Sequence, residues 1–166
     1  NNVGRIYRYN LLTDQFELYL DLAEHIYMGL VLHYLFIDSQ EQLWIGLNSG
    51  LYCCLLGETP QLIDSDCHVT YITELPQSMA IGTTCDLRIY SKDRNLLQKL
   101  CPDTYVQSLL PLPNKEILLI GTFNCGVKSI SLSSWQEQPV KNGSLPHTPI
   151  RSMIEMTPST VFRFCL

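Results

Sequence analysis

The chain has 166 residues, 46% hydrophobic and 16% charged, which excludes a disordered polypeptide and allows one ordinary domain with a real core. Its formal net charge is −5 and no basic cluster occurs locally, so electrostatics give no reason to bind nucleic acid. The longest apolar run, Ile26 to Ile37, falls short of the ~20 residues that span a bilayer, so no membrane span is expected in this segment.

The chain opens on Asn1-Asn2-Val3-Gly4 rather than on a basic and then apolar leader, as in a mature protein or a segment of something longer. Residues 4–20 (GRIYRYNLLTDQFELYL) read as two strands, the second over Phe16 to Leu20. The next unit has an apolar strand from Val31 to Ile37 and a polar turn at Asp38-Ser39-Gln40-Glu41. A second strand follows, ending in Ile45-Gly46, then a turn at Asn48-Ser49-Gly50 and an outer strand over Gln61 to Ile63. The segment AEHIYMGLVLHYL has the composition of a buried helix. Gly29, the β-branched Val31 and the match to later copies favour strand, with a helix over 20–28 as the lesser alternative.

The following unit repeats this order: Val69 to Thr73, Pro76-Gln77-Ser78, Ile81-Gly82, Thr84-Cys85-Asp86, then Leu96 to Leu100. In its third strand Leu87 and Ile89 alternate with Arg88 and Tyr90, which predicts a half-buried strand. The next unit runs Val106 to Leu110, Pro113-Asn114-Lys115, Ile120-Gly121, Asn124-Cys125-Gly126 and an irregular outer strand over 135–140. A last strand from Ile150 to Ile154 and a turn at Thr157-Pro158-Ser159 lead to Val161-Phe162-Arg163-Phe164, where an Ile-Gly would be expected.

The Ile-Gly glycines stand 36 and 39 residues apart, a period that with several short strands per unit predicts an all-β chain built of four-stranded antiparallel β-propeller blades. A glycine inside a strand pattern implies close backbone approach or a bulge. About four blade-equivalents are expected: a half blade over 1–20, blades over about 21–68, 69–105 and 106–149, and a half blade over 150–166. The halves either pair to close a four-bladed ring or belong to an arc of a larger propeller. The arc is favoured, because four blades is the lower limit of the usual range, and contacts between 5–10 and 158–164 decide the matter.

Enzyme signatures are absent: there is no G-x-S-x-G, H-E-x-x-H or P-loop, and the carboxylates lie scattered in turns. The seven cysteines form no C-x-x-C and read mainly as small buried hydrophobes. No cofactor and no catalytic set is expected. His25, His68 and His147 each precede an innermost strand and fall on one rim, where they read as loop residues rather than a metal set. Trp44 reads as filler between blades.

Asp38, Leu43-Trp44-Ile45-Gly46 and Gly50-Leu51-Tyr52 resemble the repeat D-x-x-G-x-L-W-I-G-T-x-x-G-L-x-x-Y of two-component regulator propellers. GRIYRYN resembles the end of that repeat, and IGTTCDLRIY and IGTFNCGVKSI its middle. Leu47 departs from the usual Thr, which Thr83 and Thr122 keep, and Asp86 replaces a turn glycine. The resemblance implies part of the periplasmic sensor region of a hybrid two-component histidine kinase, of the kind found in glycan-degrading gut bacteria. It further implies an oligosaccharide or other small ligand, the remaining blades of a parent protein as partners, and a homodimer in the full sensor.

Ligands of propellers enter at the face that carries the blade-joining loops and the turns after the Ile-Gly strands. Tyr27, Tyr105 and Phe123 fall there and offer a stacking platform, and Asn48, Asp86 and Asn124 offer polar groups. These six are the expected ligand-binding residues. The alternatives are a propeller lyase or hydrolase with its site at the channel mouth, and a protein-interaction scaffold.

Overall fold

The computed structural model describes residues 4–22, 31–140, 149–157 and 160–165, which form sixteen strands and no α-helix. β1 (Arg5–Asn10) and β2 (Gln15–Asp21) make a two-stranded sheet. β3 (Leu32–Ile37), β4 (Gln42–Leu47), β5 (Gly50–Leu55) and β6 (Gln61–Asp64) make a four-stranded meander. So do β7 (Val69–Glu74), β8 (Ser78–Thr83), β9 (Leu87–Ser91) and β10 (Leu96–Leu100). A third such sheet holds β11 (Val106–Leu112), β12 (Ile117–Thr122), β13 (Val127–Ser131) and the short β14 (Glu137–Gln138). β15 (Ile150–Thr157) and β16 (Thr160–Cys165) make a final two-stranded sheet.

β3 lies against β7, β7 against β11 and β11 against β15, so the first strand of each sheet lines a common axis, as in a β-propeller. β1–β2 and β15–β16 remain separate sheets. The described residues therefore form an open arc with a two-stranded sheet at each end, not a four-bladed ring closed by β1 on β16. The possible helix over 20–28 falls largely outside the described residues, and β2 runs to Asp21.

The core is divided into layers between blades. Leu43, Ile45 and Leu47 of β4 meet Ile6 and Leu22, whereas Trp44 faces the other way, onto Val69, Ile72, Met79, Ile81 and Tyr90. Ala80, Leu87 and Ile89 join Val106, Leu109, Leu118 and Ile120 in the next layer. Both faces of a middle strand are thus covered, which corrects the half-buried reading of β9: Arg88 and Tyr90 are buried as fully as Leu87 and Ile89. Alternation there sorts side chains between two interfaces, not between core and water.

The Ile-Gly glycines mark where one blade touches the next. A Cβ on Gly46 would collide with the Val69 side chain, one on Gly82 would sit 2.6 Å from Val106 Cγ1, and one on Gly121 would sit 2.6 Å from the Ile150 carbonyl oxygen. Each glycine is a notch that receives the first residue of the following innermost strand. None of the three has a positive φ, so close approach, not backbone freedom, requires glycine here.

The Asp38–Trp44 pair fixes the β3–β4 hairpin. Asp38 Oδ1 accepts from the backbone N–H groups of Gln40 (2.9 Å) and Gln42 (3.0 Å), while Oδ2 accepts from Trp44 Nε1 at 2.9 Å. Both residues are buried. Asp38→Ala strands the indole N–H and is expected to cost about 1–3 kcal/mol, read as the shift in urea-unfolding free energy. Retention of wild-type stability would show that the carboxylate adds nothing.

Candidate functional site

The turns after β4, β8 and β12 are tied to the residues that precede the innermost strands. Asn48 N donates to Val31 O, Thr84 N to His68 O and Phe123 N to Tyr105 O, each at 3.0–3.1 Å. This staple brings both loop sets to one face. Thr83 and Thr122 shape their turns through Oγ1, which accepts from Cys85 N and Asp86 N in one case and from Cys125 N in the other. Leu47 needs no such hydroxyl, because β4 and β5 are joined by the two residues Asn48-Ser49.

Immediately inside this rim every innermost strand carries the same irregularity. The register with its partner slips between Leu32 and Tyr34, Val69 and Tyr71, Val106 and Ser108, and Ile150 and Ser152. The extra residues are His33, Thr70, Gln107 and Arg151. A β-bulge re-aims the bulged side chain, and here four of them come together: with Tyr105 they line one cavity of about 230 Å³ at the mouth of the channel. Larger hollows lie elsewhere, an apolar groove of about 680 Å³ beside β1 and one of about 570 Å³ on Trp135. Neither gathers polar groups from four successive blades.

The polar groups of the cavity are not equally engaged. Thr70 Oγ1 donates to Val106 O at 2.7 Å, bridging two blades. His33 and His68 face each other with their Nε2 atoms 3.0 Å apart and ring centroids 4.6 Å apart. Gln107 Oε1 is buried and, alone among the buried side-chain nitrogen and oxygen atoms of the described residues, has no hydrogen-bond partner. Such an atom costs about 1–3 kcal/mol unless something donates to it. Arg151 is exposed, and among the described residues the cavity lining includes no carboxylate.

Partial burial, and then the charge of His68, hold His33 below the ordinary histidine value although its side chain still meets solvent. The folded state therefore binds fewer protons at His33 than the unfolded chain does. This contribution to stability is complete above the unfolded value and is lost as pH falls through it toward the folded one. In His68→Asn, NMR titration of the His33 ring is expected to move upward toward the ordinary value. An unmoved midpoint would show that the pair is not coupled.

The expected ligand-binding residues fall into distinct settings. Tyr105 and Phe123 lie together, rings stacked at 5.4 Å and 16°, with Phe123 exposed. Asn124 is exposed nearby, its Oδ1 accepting from the Cys125 thiol at 3.2 Å. Asn48 uses Oδ1 to accept from Val31 N at 3.0 Å and so holds the approach to β3. Asp86 is taken up internally, accepting from Thr83 Oγ1 at 2.6 Å and from Arg88 Nε at 3.0 Å. Tyr27, His25 and His147 lie outside the described residues.

His33, Thr70, Gln107 and Arg151 were not among the expected residues. Their signal is a polar residue directly after the first apolar residue of each inner strand: Leu-His, Val-Thr, Val-Gln and Ile-Arg. No group of three or more His, Cys, Asp or Glu able to hold a metal occurs among the described residues. Cys53, Cys54, Cys67 and Cys101 are buried free thiols, and burial pushes Cys53 and Cys67 up to about 12, so they are unreactive near neutral pH. No described helix is long and apolar enough to cross a membrane.

No family model matches the chain, and no curated protein matches it. Solved structures do. The extracellular domain of the hybrid two-component system BT3049 from B. thetaiotaomicron aligns with 97% of this chain and 24% of its own, at TM-score 0.71 and 21% identity. That of BT4673 from the same organism aligns with 83% of this chain and 20% of its own, at TM-score 0.65 and 21% identity. Saccharomyces cerevisiae Sqt1 aligns with 99% of this chain and 50% of its own, at TM-score 0.76 and 15% identity. The chain thus spans between a fifth and a quarter of the two bacterial domains. It is an arc of a β-propeller, similar in fold to the extracellular domains of hybrid two-component systems.

Proposed function

We propose that the chain is part of the extracytoplasmic, periplasmic ligand-sensing region of a hybrid two-component histidine kinase, and that it senses an oligosaccharide rather than turning one over. The observation that carries this reading is the ring of four bulged polar side chains, His33, Thr70, Gln107 and Arg151, converging beside the Tyr105–Phe123 stack on one cavity of a propeller arc. An aromatic face beside a few fixed polar groups suits a sugar ring, apolar on one side and hydroxylated at its edge. Binding would act as a population shift between arrangements of paired sensors, with no bond made or broken.

The remaining blades of a longer protein are the nearest partners. The separate sheets β1–β2 and β15–β16, and the apolar groove lined by Ile6, Tyr7, Leu35, Phe36 and Leu43, support packing of further strands there. The test of function is calorimetric titration of the chain against a panel of oligosaccharides. A saturable heat that Gln107→Leu abolishes is expected. Binding untouched by that change, or turnover of a panel member into shorter products, would contradict it.

A further inference from the structure

We infer that the channel-mouth cavity takes an acidic sugar, a ring carrying both a carboxylate and free hydroxyls, in preference to a neutral one; this rests on the ligand-sensing reading above. Three features of the cavity define its occupant. Gln107 lines the cavity with a buried Oε1 that has no donor, so an occupant that presents an O–H or N–H as this side chain turns toward it relieves that cost. Arg151 is the cation of the lining, which among the described residues includes no carboxylate to neutralise it, so the ligand gains from a negative charge. The Tyr105–Phe123 stack, with Phe123 45% exposed, adds an aromatic surface beside them.

These demands exclude simpler anions. A sulfate dianion satisfies Arg151 but brings no donor for Gln107, and neither sulfate nor hydrogen phosphate, whose single O–H can donate, brings a ring face for the aromatics. A neutral hexose satisfies Gln107 and the aromatics but leaves the guanidinium without a counter-charge. A uronate-type sugar meets all three. His33, paired with His68, completes the wall: with His33 held below its ordinary value, its ring is neutral near pH 7 and can donate or accept. The cavity volume of about 230 Å³ equals roughly eight waters of liquid, room for one sugar ring. The same chemistry comes from a free uronic acid or from a uronate residue of a longer chain.

The test titrates the chain with tetragalacturonate, galacturonate, maltotetraose and glucose at low ionic strength. An acidic probe is expected to bind at least about tenfold tighter than its neutral counterpart, as a charge-assisted hydrogen bond allows. Arg151→Met, at an exposed position, should erase that preference, so that each acidic probe binds no tighter than its neutral counterpart. Adding salt to the unmodified chain should weaken only the acidic probes. Equal binding of galacturonate and tetragalacturonate would assign the site to a single residue, and tighter binding of the tetramer to a chain, both in keeping with the proposal. Equal binding of acidic and neutral probes overturns the acidic preference and leaves glycan sensing standing. Silence of all four overturns both.

Discussion

Gly121→Ala is expected to destabilise the chain by about 1–3 kcal/mol or more, for the addition of a single methyl group. The new Cβ would meet the Ser108 hydroxyl, the Ile150 carbonyl oxygen at 2.6 Å and Ile150 Cγ2 at 2.9 Å. Two of these belong to the next blade, and one is backbone, so relief requires the blades to separate. Gly82→Ala meets only side chains, Val106 Cγ1 at 2.6 Å and Cβ at 3.0 Å, and Thr70 Oγ1 at 3.3 Å. This difference makes the explanation testable in a double-mutant cycle. Val106→Ala should recover part of the cost of Gly82→Ala, because it removes the colliding Cγ1. Ile150→Ala should recover little of the cost of Gly121→Ala, because the carbonyl remains. Additive costs in the first cycle would show that the glycines are not notches for the next blade.

The second large effect belongs to Arg88, whose side chain is 2% exposed. Its Nη1 donates to Asp64 Oδ2 at 2.7 Å and its Nε to Asp86 Oδ1 at 3.0 Å, and Tyr90 OH also donates to Asp64. Arg88→Met leaves two carboxylates beside a buried gap and is expected to cost about 3–5 kcal/mol at neutral pH. Burial alone would raise Asp64, but hydrogen bonds from Tyr90, the Asp66 backbone and Arg88 outweigh it and hold Asp64 below its ordinary value. Since its folded value lies below the unfolded one, Asp64 stabilises the wild type above the unfolded value, and this is lost as pH falls through the folded one. Arg88→Met removes the hydrogen bond and the attraction of the guanidinium, both of which lower Asp64, so the carboxylate protonates more readily. The gap between the two proteins should therefore be widest near neutrality and narrow below about pH 4. A gap constant from pH 7 to pH 3 would show that packing, not charge, gives Arg88 its importance.

Much of the fold was legible because it repeats. The Ile-Gly pairs mark the second strand of each complete blade, and their glycines prove to be the contact points between blades. What a one-sided view of strand alternation could not give is the burial of Arg88 and Tyr90. In a propeller the polar partner of an alternating pair faces another blade, and Arg88 is tolerated there only because Asp64 and Asp86 meet it. The site was less legible. Counting loops puts Tyr105, Phe123 and Asn124 on one face, and the structure stacks the first two there. Asp86, read as a ligand group, is instead bound to Thr83 and Arg88, which is the reason a carboxylate can replace a turn glycine there. His33, Thr70, Gln107 and Arg151 escaped because a bulge adds one residue to a strand without altering its composition. Only the pairing register shows that they point the same way.

Side-chain NMR reads that convergence in solution. With tetragalacturonate added, the Gln107 amide and the His33 and His68 ring resonances are expected to shift together and to saturate along one binding curve. The indole of Trp44, buried between blades and bonded to Asp38, should stay in place. Saturable binding that leaves Gln107, His33 and His68 unmoved while shifting Trp135, on the hollow near Pro113 and Leu132, would contradict the account and put the ligand elsewhere on the propeller.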